Sequence, residues 1–226
     1  MRLGVLFSGG KDSAYALMKA MEYEEVVCLI SLISENKESY MFHTPNIGLA
    51  RKQASAINLP IVEVSTKGEQ KKELEDLKKA IECEIKQYQI EGVVTGAIES
   101  VYQAERVQRI CESLGLWCFN PLWKKDQIAL LQELVENNFE VIISGIFAYP
   151  LTEVYLGRKL DKPLIEELVA LKGKYLISPS GEGGEIETTV LDAPFFAQKI
   201  IVEESEHRGE GHSAELVVKK AVLVNK

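Results

Sequence analysis

A chain of 226 residues, 46% apolar and 27% charged, buries a sizeable core without disulfides and fits one large domain or a main domain with a small appendage. Its formal net charge of −8 removes the global electrostatic pull of a nucleic-acid binder, though not the option of a local basic patch. No apolar run approaches the ~18 residues of a membrane span, and a first strand starting at residue 3 makes a signal peptide unexpected.

That first strand candidate, residues 3–8, runs into Phe7-Ser8-Gly9-Gly10-Lys11-Asp12-Ser13. A helical pattern follows at 12–22, with Ala14, Leu17, Met18 and Met21 near one face. A strand, a tight glycine turn and a helix start make a place to hold phosphate. Gly9 and Gly10 let backbone N–H groups approach an anion closely. Ser8 and Ser13 add hydroxyls, Lys11 adds a cation, and the helix dipole favours negative charge. The plainer reading is a turn with Asp12 or Ser13 capping the helix, and the two roles are compatible. Neither G-x-x-x-x-G-K-[ST] nor G-x-G-x-x-G occurs anywhere, so kinase-like γ-phosphoryl transfer has no support.

Strand candidates continue at 26–33, 61–65, 92–96, 117–120 and 140–147, with helical candidates at 45–58, 69–90, 102–114 and 125–138. Continuous Val/Ile/Leu runs mark strands covered on both faces. The alternation predicts an α/β fold, a Rossmann-like parallel sheet with helices on both faces, over residues 1–150. Thr44-Pro45 reads as an N-cap and first helical position. The 69–90 helix is very polar and is expected to present a solvated face with i,i+4 charge pairs. Beyond residue 150 come a helix at 162–172, a Pro/Gly/Glu-rich loop and strand-like runs at 186–191, 199–204 and 214–224. They predict a smaller C-terminal α+β portion at 151–226. Cys28, Cys83, Cys111 and Cys118 form no C-x-x-C pair and read as reduced, mostly buried thiols of a cytoplasmic protein. Their spacing gives no metal site, and the sequence assigns no metal ligands.

Two further stretches carry chemistry-bearing residues. Gly96-Ala97-Ile98 ends a strand candidate just before a helix, a ligand-facing place in a parallel sheet. Tyr102, Gln103 and Arg106 follow, and Arg106 reads equally as an anion partner or a structural salt bridge. Gly181-Glu182-Gly183-Gly184-Glu185-Ile186-Glu187-Thr188 sets three carboxylates around a glycine pair. Local sequence favours a solvated hairpin; the functional reading is a pocket for a cation, since carboxylates and aromatic faces hold a quaternary ammonium. His43 reads as a nucleotide or substrate contact or a surface histidine, and His207 and His212 as part of a surface hairpin.

Ser8-Gly9-Gly10-Lys11-Asp12-Ser13 resembles the pyrophosphate loop of the N-type ATP pyrophosphatases (PP-loop enzymes), which cleave ATP between the α and β phosphates. Together with Gly96 to Gln103, with Leu156-Gly157-Arg158-Lys159-Leu160-Asp161 and with Gly181 to Thr188, it resembles the diphthine–ammonia ligases over nearly the whole chain. Ile186 departs from that pattern, which has an aromatic residue there. The resemblance implies ATP-dependent amidation of diphthine on translation elongation factor 2 with ammonium, through an acyl-adenylate, giving diphthamide, AMP and pyrophosphate. It implies ATP and Mg²⁺, no membrane and no direct nucleic-acid binding. By the same resemblance Ser8, Gly9, Gly10, Lys11, Asp12, Ser13, His43, Gly96, Ala97 and Ile98 hold nucleotide. Tyr102, Gln103, Arg106, Glu182, Gly183, Gly184, Glu185, Glu187 and Thr188 hold substrate. Asp12, Glu185 and Glu187 are the catalytic candidates. Two other readings stay open on sequence: a tRNA-modifying PP-loop enzyme, against which charge and scattered cysteines count, and a non-catalytic adenine-nucleotide-binding protein. Oligomeric state is not legible.

Overall fold

A computed structural model describes residues 1–34, 46–67 and 70–226. The chain divides into two compact units, Met1–Trp123 and Lys124–Lys226.

The first unit follows the strand–helix alternation. Its strands are β1 (Arg2–Leu6), β2 (Glu25–Ser34), β3 (Ile61–Thr66), β4 (Gly92–Val94) and β5 (Trp117–Phe119). Its helices are α1 (Lys11–Met21), α2 (Ala50–Ile57), α3 (Gln70–Tyr88) and α4 (Val101–Leu114). Every pairing is parallel and the strand order is β3-β2-β1-β4-β5. The chain winds outward from β1 through β2 to β3, then returns to place β4 on the other side of β1. That reversal is a topological switch point, and it leaves a crevice at the carboxyl ends of β1 and β4. Leu3 and Val5 of β1 and Cys28, Leu29 and Ile30 of β2 are buried, as strands covered on both faces must be.

The helix predicted over 45–58 is a 3-10 turn, Ile47–Leu49, followed by α2; Thr44-Pro45 lies outside the described residues. α3 is polar, as expected, yet Leu77, Ala80, Ile81 and Glu84 form one buried i, i+3, i+4, i+7 stripe.

The second unit is α+β. It comprises α5 (Gln127–Glu136), β6 (Glu140–Ile146), α6 (Lys162–Tyr175), β7 (Ile186–Asp192), β8 (Gln198–Glu210) and β9 (Ser213–Asn225). The sheet is antiparallel with order β7-β6-β9-β8. The expected boundary near residue 150 therefore differs from the division found, because α5 and β6 belong here. The run Glu140–Ile146 reads as a parallel core strand only because any strand buried on both faces loses its alternation. His207 and His212 fall on the β8–β9 hairpin, as expected. Asp126 caps α5 through the N–H groups of Ile128 and Ala129, and Asp161 caps α6 through that of Leu164.

Glu84 ends the buried stripe of α3 at 0% exposure, and neither of its carboxyl oxygens has a hydrogen-bond partner. The Cys28 thiol, a weak donor, is the polar group beside it. Burial pushes the Glu84 carboxyl up from its ordinary 4.5, and burial together with the nearby carboxylate pushes the Cys28 thiol up as well. The folded chain thus holds this proton more tightly than the unfolded chain does. The resulting cost is absent below 4.5 and grows as pH rises through the folded value. Glu84→Gln should match the parent near pH 4.5 and exceed it by roughly 1–3 kcal/mol at pH 8. Urea unfolding followed by Trp117 and Trp123 fluorescence, both in the first unit, measures this; a pH-independent difference would remove the assignment.

Candidate functional site

β1 ends at Leu6, and the chain turns through Ser8, Gly9 and Gly10 into α1. Gly9 has φ +80, a left-handed conformation open to glycine. The N-cap of α1 is Gly10, with no side-chain cap bond, so neither Asp12 nor Ser13 plays the capping part allowed by the plainer reading. Instead the two serines shape the turn. Ser13 Oγ donates to Gly10 O at 3.1 Å and accepts from Ser8 N at 3.2 Å, and the two hydroxyls lie 3.2 Å apart. Lys11 is 3% exposed, and its ammonium sits 2.9 Å from Asp12 Oδ2. Asp12 Oδ1 is buried without a partner. The positive field offered to an anion here therefore comes chiefly from backbone N–H groups and the helix dipole, with Lys11 offset by its neighbour.

The loop after β4 meets this turn. A Cβ on Gly96 would fall 2.8 Å from both Asp12 C and Ser13 N, so the two backbones touch where only glycine fits. Thr95 fixes the loop from the other side: its N–H bonds Phe119 O at 3.0 Å, its hydroxyl bonds Asn120 Oδ1, and Ala97 N donates to that hydroxyl at 3.2 Å. Ala97 and Ile98 are buried beyond Gly96. Ser100 then caps α4 by accepting from Gln103 N at 3.3 Å. One turn apart on α4, the Arg106 guanidinium lies 3.3 Å over the Tyr102 ring and donates to Tyr102 O at 3.1 Å. Arg106 is thus stacked on its own helix rather than paired with a carboxylate. His43 lies outside the described residues.

In the second unit the Glu-rich loop is built around glycine and one carboxylate. Gly181 has φ +76, and a Cβ there would lie 2.2 Å from Ile186 O. Gly184 has φ +83. A Cβ on Gly183 would fall 2.8 Å from both Glu185 carboxyl oxygens, so that glycine makes room for the Glu185 side chain. Glu185 Oε1 accepts from Ser178 N at 3.0 Å, while Oε2 is buried without a partner. Glu182 N donates to Ser178 Oγ at 2.9 Å. Glu187 stands on β7 opposite Gly145, and Thr188 beside it is buried opposite Ile143. The three carboxylates are not equivalent: Glu185 is turned into its own loop, and Glu187 belongs to a strand. Arg158 has a structural partner, Glu167, at 2.8 Å. The Tyr155 hydroxyl hydrogen bond, with Arg158, holds the Glu167 carboxyl below its usual range.

Two glutamines absent from the sequence reading hold these loops. Gln53 of α2, 1% exposed, donates from Nε2 to Gly9 O at 2.8 Å. Gln127 of α5 accepts at Oε1 from Ser178 Oγ at 2.7 Å and Ser180 Oγ at 3.0 Å. For Gln53 the available signal is a polar residue within the stripe Ala50, Gln53, Ala54, Ile57, where the amphipathic pattern calls for an apolar one. Among the described residues, no group of three or more His, Cys, Asp or Glu side chains is placed to hold a metal.

The family model described as the diphthamide synthase N-terminal domain matches residues 1–118, and that of the diphthamide synthase C-terminal domain matches residues 126–224. A diphthine–ammonia ligase of Bos taurus is 34% identical over 91% of this chain and 84% of its own. One of Mus musculus is 34% identical over 99% of this chain and 90% of its own. Among solved structures, a chain described as a predicted subunit of tRNA methyltransferase from Methanocaldococcus jannaschii overlays with a TM-score of 0.44. It is 17% identical over 86% of this chain and 98% of its own, a likeness too loose to bear on function.

The contact at Gly96 is testable. A methyl group there must displace the first turn of α1, because the atoms that it meets are backbone. Gly96→Ala is expected to remain folded and to bind inorganic pyrophosphate about tenfold more weakly or worse, about 1.4 kcal/mol, by isothermal titration. Unchanged affinity would separate this contact from the anion site.

Proposed function

This chain belongs to the diphthamide synthase family, and we propose that it is an AMP-forming ligase that amidates diphthine on translation elongation factor 2 with ammonium. The observation that carries the nucleotide half of this reading is the uncapped start of α1 behind Gly9 and Gly10, at the switch point of a parallel sheet.

On this reading the reaction has two steps. A diphthine carboxylate oxygen attacks the α-phosphorus of ATP, and the bond to the bridging oxygen of pyrophosphate breaks. Ammonia then attacks the acyl carbon of the adenylate; AMP leaves, and the nitrogen loses a proton to give the amide. The Ser8–Ser13 turn receives the departing pyrophosphate, stabilising charge as it develops. Gly96, Ala97 and Ile98 border that turn and take the nucleoside side. Mg²⁺ fits the donor chemistry at Asp12, whose Oδ1 is an acceptor without a partner, and when bound would neutralise phosphate charge.

The second unit supplies carboxylates suited to two different cations. Ammonium has four N–H donors and suits Glu185 Oε2, a buried acceptor left without one. The trimethylammonium of diphthine has no N–H and suits a carboxylate that offers only field, the part given to Glu187 with Glu182. Thr188 is a further proposed substrate contact of the second unit, and Tyr102, Gln103 and Arg106 are those proposed for the first. Among the described residues no helix is long and apolar enough to cross a membrane, and a translation factor as substrate sets the reaction in the cytoplasm.

The expected products, read by phosphorus NMR, are AMP and pyrophosphate; both require diphthine-bearing elongation factor 2, and sustained turnover with amide formation and AMP release requires ammonium as well. ADP with orthophosphate would overturn the assignment, and AMP release driven by tRNA would move the enzyme to another substrate. Ser8→Ala combined with Asp12→Ala should lower AMP formation by about a hundredfold or more. Glu187→Ala should leave the ATP dissociation constant within about twofold and slow amidation at least tenfold, about 1.4 kcal/mol in the barrier.

A further inference from the structure

The peptide joining Gly9 to Gly10 sits at the centre of the turn, and its orientation decides whether the turn attracts or repels an anion. In a trans peptide the carbonyl and the following N–H point in opposite directions. With Gly9 O turned away from the ligand side, Gly10 N–H is available to an anion; with the peptide flipped, a carbonyl oxygen takes its place and repels one. Within the turn itself little holds this peptide. Gly9 at φ +80 and Gly10 carry no side chains, and the internal bond, Gly10 N to Ser8 Oγ, is long at 3.3 Å.

The firm hold comes from a residue 44 positions away. Gln53 Nε2 donates to Gly9 O at 2.8 Å in a buried setting, and Gln53 is 1% exposed. The fit is mutual: a Cβ on Gly9 would lie 2.1 Å from Gln53 Oε1, so the side chain occupies the space which glycine leaves open. Without that donor, Gly9 O would be buried and unpaired, a state that favours rotation of the peptide toward another partner.

We propose that Gln53 is a positioning residue for the pyrophosphate site: it locks the Gly9–Gly10 peptide in the orientation that offers N–H, not C=O, to the departing anion. The inference rests on the reading that this turn grips pyrophosphate. It predicts an effect confined to the phosphate end of the ligand, which a general loosening of the fold would not produce.

The test uses the full chain, with inorganic pyrophosphate and AMP titrated separately by calorimetry. Gln53→Met keeps the length of the side chain and has no donor; Gln53→Leu removes the polar group with a branched side chain. Each should weaken pyrophosphate about tenfold while AMP stays within about twofold, and the ATP KM should rise with the same bias. Equal weakening of pyrophosphate and AMP, or unchanged pyrophosphate binding in a folded variant, would overturn the role of Gln53. Should Gln53→Leu fail to fold, the unbranched Gln53→Met decides. A parent chain that itself does not bind pyrophosphate would sink the reading of the turn, a result distinct from failure of the Gln53 assignment.

Discussion

The first unit is organised by one backbone contact. The chain reverses its winding between β3 and β4, and this sets the loop after β4 against the first turn of α1, so closely that a single methyl group would not fit at Gly96. Two strand ends, one helix start and a hydrogen-bonded brace through Thr95 and Asn120 then share one small volume. A crevice at a switch point is a property of the topology. Its narrowness here is a property of residue 96. The helix start at the same place has a glycine N-cap, so no N-cap side chain takes its first N–H groups.

The loops of both units follow one structural rule. Each is rich in glycine and serine, residues that permit sharp turns but enforce none. In each case a glutamine from a helix outside the loop supplies the constraint: Gln53 on the carbonyl of Gly9, Gln127 on the hydroxyls of Ser178 and Ser180. Glutamine suits this task because it brings a neutral polar end into a buried or half-buried place, and burying a neutral group costs far less than burying a charge. Glu185 does related work in the second unit, with one oxygen on the Ser178 N–H. Its other oxygen remains an unfilled acceptor, so the same residue both shapes the loop and offers it a use.

Much of the fold was legible because apolar periodicity and glycine turns are local signals. Strands β1 to β5 and helices α1, α3 and α4 lie where the alternation puts them, within the shifts of one or two residues usual at element ends, whereas α2 begins at Ala50, behind a 3-10 turn. The place of β6 was not legible, since a strand buried on both faces carries no mark of the sheet that it joins. The anion turn could be recognised from Ser8 to Ser13, yet how it is held could not. Gln53 meets it only through tertiary structure, and the offset of Lys11 by Asp12 depends on a side-chain conformation rather than a spacing. Arg106 shows the same limit: the sequence left an anion partner and a structural salt bridge open, and the guanidinium instead stacks on Tyr102, one turn before it.

The near neutrality of the Lys11–Asp12 pair has a consequence for the proposed chemistry. A strong free cation at the turn would bind the triphosphate tightly before reaction and the pyrophosphate tightly after it, which lowers the ground state along with the transition state and slows release. Backbone N–H groups and a helix start act differently. They are fixed partial charges, already oriented, whose stabilisation grows as negative charge accumulates on the leaving group. A grip of this kind favours the moment of bond breaking over the states on either side, provided that the peptides do not reorient. That proviso makes rigidity, more than charge, the quantity which the turn must conserve. It is the physical reason for a buried donor to be placed on Gly9 O, in a chain whose overall charge is −8.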